Sequence, residues 1–278
     1  MCQRCLRPIT PNTFGIGLRN EHLQELCQSP VNADIDFLEL APDNWMGIGG
    51  FKRQCLEQLA EKYPLVAHGL SLSIGDPQPL NLDYVQKVRD FLDSYEIALY
   101  SDHLCFSRDE NGYLYDLLPI PKRRENIDYL ADRIYQVQEI IKRPLILENI
   151  TYYHRYQGEM SDADFMAELI TKSGCKLLLD INNLYINSRN HHGSPLDFLN
   201  TINSNDIAYY HIAGHLDEGE GPIIDTHGKP TSKAVIDLAK EVVKIHGMKP
   251  MLLERDNNIP TLAVLTDDLC TIKRDLSH

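Results

Sequence analysis

Residues 144–183 read PLILENITYYHRYQGEMSDADFMAELITKSGCKLLLDINN, and the alternation they show runs through the whole chain. A short apolar run, 144–150, carries Glu148 near its end, and a second run, 176–183, closes on Asp180 and two asparagines. Between them, 161–173 has apolar residues at helical spacing behind Ser161, a residue type that caps helix N-termini. Near-continuous apolarity marks strands covered on both faces, so the segment is one β-α-β unit of a parallel sheet.

Working outward, equivalent runs lie at 15–18 (GIGL), 35–42 (IDFLELAP), 64–70 (PLVAHGL), 97–103 (IALYSDH), 207–215 (IAYYHIAGH) and 249–256 (KPMLLERD). The clearest helical pattern is 122–142, where Ile127, Leu130, Ile134, Val137 and Ile141 form one stripe. Others are 81–95, capped by Asn81, and 231–246, capped by Thr231 or Ser232. Eight β-α cycles predict an α/β fold, a (β/α)₈ TIM barrel; the alternative is an open doubly wound sheet. No repeat or linker breaks the chain, so residues 1–278 read as one metal-binding domain, with 1–12 a loosely ordered N-terminal segment.

The chain has 40 acidic against 27 basic residues, a formal net charge of −13. That opposes nucleic-acid binding, which needs a basic face, and bound divalent cations would offset several carboxylates. No uncharged apolar run is long enough to span a membrane, and the N-terminus lacks a signal-peptide core. The seven cysteines, at 2, 5, 27, 55, 105, 175 and 270, are scattered and odd in number. A reducing cytoplasm is therefore expected rather than a disulfide framework. The lone CxxC at Cys2 and Cys5 reads as part of a frayed tail.

Runs three to eight each begin apolar and end in a potential ligand: His68, His103, Glu148, Asp180, His211 and Glu254. In a barrel these strand ends share one mouth, where so many carboxylates and imidazoles would be costly to bury together without cations. Each alone has an ordinary reading: a core histidine, a carboxylate paired with Arg155 or Arg255, or, for Asp180, a helix cap. Their joint placement points to metal. Asp225 and His227 add a D-x-H whose side chains share a side if the segment is extended. Asn182 is a candidate ligand or loop hydrogen-bonder. His215, four residues after His211, is a candidate ligand, proton carrier or substrate contact, and Glu39 and Asp256 are candidates to support the ligands. Imidazole with carboxylate and no thiolate suits iron, manganese or zinc, and so many ligands fit two or three ions. No residue is assigned a catalytic role beyond the metal site.

The segments GIGLR, FLELAPDNW, HGLSLSIG, YSDHLCFS, LPIP, LENITYY, LLDINNLYINS, HIAGH, DTHG and LLERD, in this order between about residues 13 and 265, resemble the MbnB-like family. Its members are barrels related to xylose isomerase and endonuclease IV, and its best-understood members are multinuclear non-haem iron oxidases. With a partner protein, they modify cysteines of a ribosomally made precursor peptide, as in methanobactin biosynthesis. The resemblance places His68, His103, Glu148, Asp180, His211, Asp225, His227 and Glu254 at metal-ligand positions. It implies an iron cofactor of two or three ions, zinc or manganese being the alternatives, and as partners a Cys-containing peptide and a separate protein. Endonuclease IV has a histidine where this chain has Asn183, which disfavours a three-zinc phosphodiesterase and leaves Asn182 as a contributor. The stretches 104–121, 184–198 and 213–231 are candidate walls of a peptide channel. Tyr113, Tyr115 and Tyr185 there either touch the peptide or pack against the rim. The rival readings are a divalent-metal sugar isomerase, a zinc phosphoesterase and a non-catalytic metal-binding protein.

Overall fold

The computed structural model describes residues 8–277, with Tyr115 described by its backbone alone. Its strands, in chain order, are β1 (Phe14–Gly17), β2 (Phe37–Leu40), β3 (Leu65–His68), β4 (Tyr100–His103), β5 (Cys105–Asp109), β6 (Gly112–Pro119), β7 (Ile146–Glu148), β8 (Lys176–Asp180), β9 (Ile207–Ile212) and β10 (Met251–Leu253). All but β5 and β6 pair in parallel and in sequence, and β10 returns to β1, closing an eight-stranded barrel. The open-sheet alternative is thereby excluded. The outer helices are α1 (Asn20–Gln28), α2 (Gly50–Lys62), α3 (Leu82–Ser94), α4 (Arg124–Ile141), α5 (Asp162–Ser173), α6 (Ile181–Asn190), α7 (Pro195–Thr201), α8 (Lys233–His246) and α9 (Leu262–Leu276). The stripe Ile127, Leu130, Ile134, Val137 and Ile141 of α4 is buried, and the caps form at Asn81, Ser161 and Ser232 rather than Thr231.

Strand side chains alternate, so every second residue points into the barrel. Phe37, Val66, Ile146, Leu178, Tyr209 and Leu252, one from each of six strands, make a buried apolar plug. Gly15 and Ser101 hold the equivalent positions of β1 and β4. A Cβ at Gly15 would lie 2.5 Å from the Phe37 ring, so the ring takes the space that β1 leaves empty. Two residues further along each strand, the same inward face carries Gly17, Glu39, His68, His103, Glu148, Asp180, His211 and Glu254. An apolar layer thus lies directly beneath a polar one, and the polar layer faces the mouth where barrel active sites sit.

Two of the stretches named as candidate channel walls are regular elements. The stretch 184–198 is mostly helical, from the body of α6 into α7. Its asparagines weaken the helical signal, because Asn is a poor interior helix former. Burial of Ile181, Leu184 and Ile186, with Asp180 capping the first turn, outweighs that preference. The stretch 104–121 holds the antiparallel hairpin β5–β6. The buried carboxylate of Asp76, in the loop after β3, fastens that hairpin by accepting from Arg108 Nε at 2.7 Å.

At the other end of the barrel Ile9 packs on the plug cluster, while Cys2 and Cys5 lie outside the described residues. Cys27, Cys55, Cys105, Cys175 and Cys270 are unpaired. Among the described residues no helix is long and apolar enough to cross a membrane.

Candidate metal centre

The mouth gathers its polar residues into three interlocking sets: His68, His103 and Glu148; Glu148, Asp180 and His211; and Asp180, His227 and Glu254. Within each set the ligand atoms lie within 4.8 Å of one another, and every member is buried. Glu148 and Asp180 each belong to two sets, which is the arrangement that bridging carboxylates require. His68 Nε2 stands 3.1 Å from Glu148 Oε2 and 3.2 Å from His103 Nε2. On the far side, Glu254 Oε2 lies 3.0 Å from His211 Nδ1 and 3.3 Å from His227 Nδ1.

Asp225 joins the rim through His227 Nε2, 2.8 Å from its Oδ1. The route differs from an extended D-x-H: His227 has φ 47°, in the left-handed region, so a bend brings the two side chains together.

Buried polar atoms test whether cations fit. Asp180 Oδ2 is covered by protein without a partner, and Glu148 Oε2, facing the rings of His68 and His103, makes no well-formed hydrogen bond. Leaving carboxylate oxygens in that state is costly, and an ion between them would remove the cost. The donor set fits iron, manganese or zinc.

Around this cluster the supporting residues divide by contact. Asn183 Nδ2 donates to Glu148 Oε1 at 3.1 Å and so orients that carboxylate. Asp180 is a cap as well as a cluster member: Oδ1 accepts from Asn183 N at 2.6 Å. Asn182 donates to Asp225 Oδ1 at 3.1 Å and pairs through its own oxygen with His215 Nδ1 at 2.8 Å, so its amide is spent on hydrogen bonds. His215 stacks on Tyr185 outside the cluster. Glu39 lies 3.0 Å from His211 Nε2, and Asp256 lies 3.1 Å from His227 Nδ1. The arginine that reaches Glu254 is Arg19, at 3.7 Å, which also pairs with Asp256, whereas Arg255 turns away to Asp268. Sequence reading missed Arg19, Ser101 and Tyr209. The last two carried a usable signal, since each sits two residues before a strand-end histidine and so on the same inward face.

The charges show what stands in for cations when none is bound. Burial acts against the His68 imidazolium, but Glu148 outweighs it and holds the ring at about 9. Burial and the neighbouring His68 push His103 down to about 4. Burial raises the Asp180 carboxyl to about 8, against the pull of His227. His211 and His227 are held well above the usual histidine range: burial opposes this, and Glu39 with Glu254 at the first, Glu254 with Asp225 at the second, prevail. Protons therefore neutralise the mouth when no metal is bound, and a metal must displace them. Manganese(II) affinity of the metal-free protein is expected to rise with pH, about tenfold per unit for each proton displaced, up to the range where Asp180 and His68 are already deprotonated. Isothermal titration at several pH values in buffers of different ionisation heat measures this; an affinity flat between about pH 6 and 8 would refute it.

Fold and mouth together define a closed (β/α)₈ barrel whose mouth can hold metal ions. Endonuclease IV from Thermus thermophilus superposes with a TM-score of 0.57 at 12% identity, covering 95% of this chain and 99% of that one. D-Psicose 3-epimerase from Clostridium cellulolyticum gives 0.56 at 12%, covering 95% of each. These likenesses concern the fold alone. The profile described as RiPP precursor modification enzyme MbnB/TglH/ChrH matches residues 13–277, and the chain belongs to this family. A UPF0276 protein of Shewanella sediminis is 45% identical over 92% of this chain and 91% of its own length. One of Acinetobacter baylyi is 43% identical over 93% and 89%.

Proposed function

We propose that this chain is a multinuclear, iron-dependent oxidase that uses dioxygen to modify a cysteine of a ribosomally made precursor peptide, together with a separate partner protein. The observation that carries the reading is the fusion of three buried His–carboxylate sets through Glu148 and Asp180, in a family named for precursor-peptide modification. When bound, iron supplies affinity for a thiolate and the electron transfer to dioxygen.

The chain's own residues hold, orient and admit. His68, His103, Glu148, Asp180, His211, Asp225, His227 and Glu254 would hold the ions, with Asn183 and Asp256 fixing the ring and carboxylate orientations. Two clefts, of about 370 and 350 Å³, reach the cluster from different sides and share His103, Glu254 and Asp256. One runs along the edge of β6 and past Tyr153; the other runs past Trp45 and Arg19. An extended peptide fits this geometry, with its cysteine over the shared residues. Asp116, Asp225 and Asp256 in the first cleft favour basic residues beside that cysteine. Phe51, Leu70, Tyr113, Leu114, Tyr153 and Ile224 are exposed apolar side chains. All follow the mouth-side ends of strands, which supports a protein docked over the same face.

The test is elemental analysis of protein purified without oxygen, followed by oxygen uptake with a synthetic Cys-containing peptide encoded beside this chain. At least two irons per chain and peptide-dependent uptake are expected. Stoichiometric zinc with almost no iron would instead point to a phosphoesterase, and metal content without peptide-dependent chemistry to a non-catalytic binder.

A further inference from the structure

In the plug layer beneath the metal centre, Ser101 and Tyr209 are hydroxyl-bearing residues among aliphatic and aromatic neighbours, and they meet at 2.6 Å across the barrel. Both are fully buried, so their protons must go to protein atoms, and the protons can be followed one by one. Tyr209 donates its single proton to Glu39 Oε2, at 2.9 Å. It therefore accepts from Ser101, whose one proton goes to the tyrosine oxygen at 2.6 Å in preference to Ala67 O at 3.4 Å. Ser101 Oγ is left to accept from His68 Nδ1, 2.7 Å away. Once a metal has displaced its second proton, His68 keeps the one on Nδ1, and the lone pair on Nε2 faces His103 and Glu148. The same Glu39 carboxylate faces His211 Nε2, 3.1 Å from Oε2 and 3.0 Å from Oε1, so that with metal bound the lone pair of His211 lies on Nδ1, beside Glu254.

We propose that Glu39, Tyr209 and Ser101 form a positioning chain that sets the ring tautomers of His68 and His211 together, so that one buried carboxylate prepares ligands on opposite sides of the barrel. This rests on the reading of the mouth as a metal centre. It assigns Glu39 to orientation rather than ligation, and gives Tyr209 and Ser101 a role that plug packing alone does not require. A phenylalanine or alanine would fill those positions without a buried hydroxyl to satisfy. Without the Tyr209 hydroxyl, Ser101 is free to turn its proton toward His68 Nδ1, which moves the ring proton to Nε2 and blocks the atom facing the cluster.

The experiment compares anaerobic cobalt(II) titrations of metal-free wild-type protein with Tyr209→Phe, Ser101→Ala, Ser101→Thr and the plug control Ile146→Val. Cobalt reports coordination through its visible bands as well as its affinity. Tyr209→Phe and Ser101→Ala are expected to weaken the affected site by about 10- to 100-fold and to alter the bands, the usual cost of removing an outer partner of a histidine ligand. The double variant should be no worse than the poorer single one, because either change breaks the same chain. Ser101→Thr keeps the hydroxyl and should recover the wild-type spectrum, while Ile146→Val should lower the thermal midpoint without moving the bands. Wild-type affinity and spectrum in folded Tyr209→Phe and Ser101→Ala would overturn the inference while leaving the metal-centre reading standing. If wild-type protein takes up neither cobalt nor iron, both fall.

Discussion

Protein carrying Glu148→Ala, purified without oxygen, is expected to contain at least one metal ion per chain fewer than wild type and to lose peptide-dependent oxygen uptake by more than about 100-fold, beyond the range for outer partners. Glu148 stands in two of the three ligand sets, whereas His103 and Glu254 stand in one each. His103→Ala and Glu254→Ala should therefore also lose metal, but less than Glu148→Ala does. The barrel should persist in all three, because the apolar plug and the helix layer contain none of these side chains. Elemental analysis beside circular dichroism reads both quantities. Full metal content in Glu148→Ala, or a deeper loss in His103→Ala than in Glu148→Ala, would contradict a bridging carboxylate at this position.

Asp180 offers a cleaner separation of structure from ligation. Its Oδ1 caps α6 through Asn183 N, while Oδ2 is buried without a partner and is available to a cation. Asp180→Asn keeps the cap oxygen and removes the charge; Asp180→Ala removes both. Both should bind metal poorly, and the alanine variant should in addition be about 1 kcal/mol less stable than the asparagine variant when metal-free. The pH dependence distinguishes them from wild type. Burial raises the folded-state pKa of Asp180 from 3.8 to about 8, so the folded metal-free chain binds a proton that the unfolded chain releases. That contribution to stability is present in full below the unfolded value and is lost as pH rises toward 8. Relative to wild type, Asp180→Asn should gain stability from about pH 4 to 8 and then level off. Denaturant unfolding of metal-free protein at stepped pH measures the difference. Parallel curves for the two proteins would mean that Asp180 does not carry this proton.

The barrel was legible because buried parallel strands must be apolar along their whole length, so a polar residue such as His68 or Asp180 at the end of such a run stands out. Helix α4 was legible for the same reason at a period of 3.6, through its stripe from Ile127 to Ile141. Helix α6 was not, since its asparagines carry a loop signature and only burial against the barrel makes it helical. The hairpin β5–β6 escaped because two short strands without a covering layer leave little periodic signal, and what holds them is the distant Asp76.

By itself, then, the order of residues determined eight buried parallel strands and which strand ends carry imidazole and carboxylate, because burial and alternation are local consequences of side-chain type, whereas closure into a barrel rather than an open sheet was settled by the pairing of β10 with β1. Tertiary structure alone decided who touches whom: that Asn183 orients Glu148, that Arg19 and not Arg255 reaches Glu254, and that a hydroxyl pair connects Glu39 to His68. Those contacts depend on strand register and on the stagger that closure imposes, which place residues more than a hundred positions apart at hydrogen-bond distance, as for Ser101 and Tyr209. No local pattern encodes that stagger.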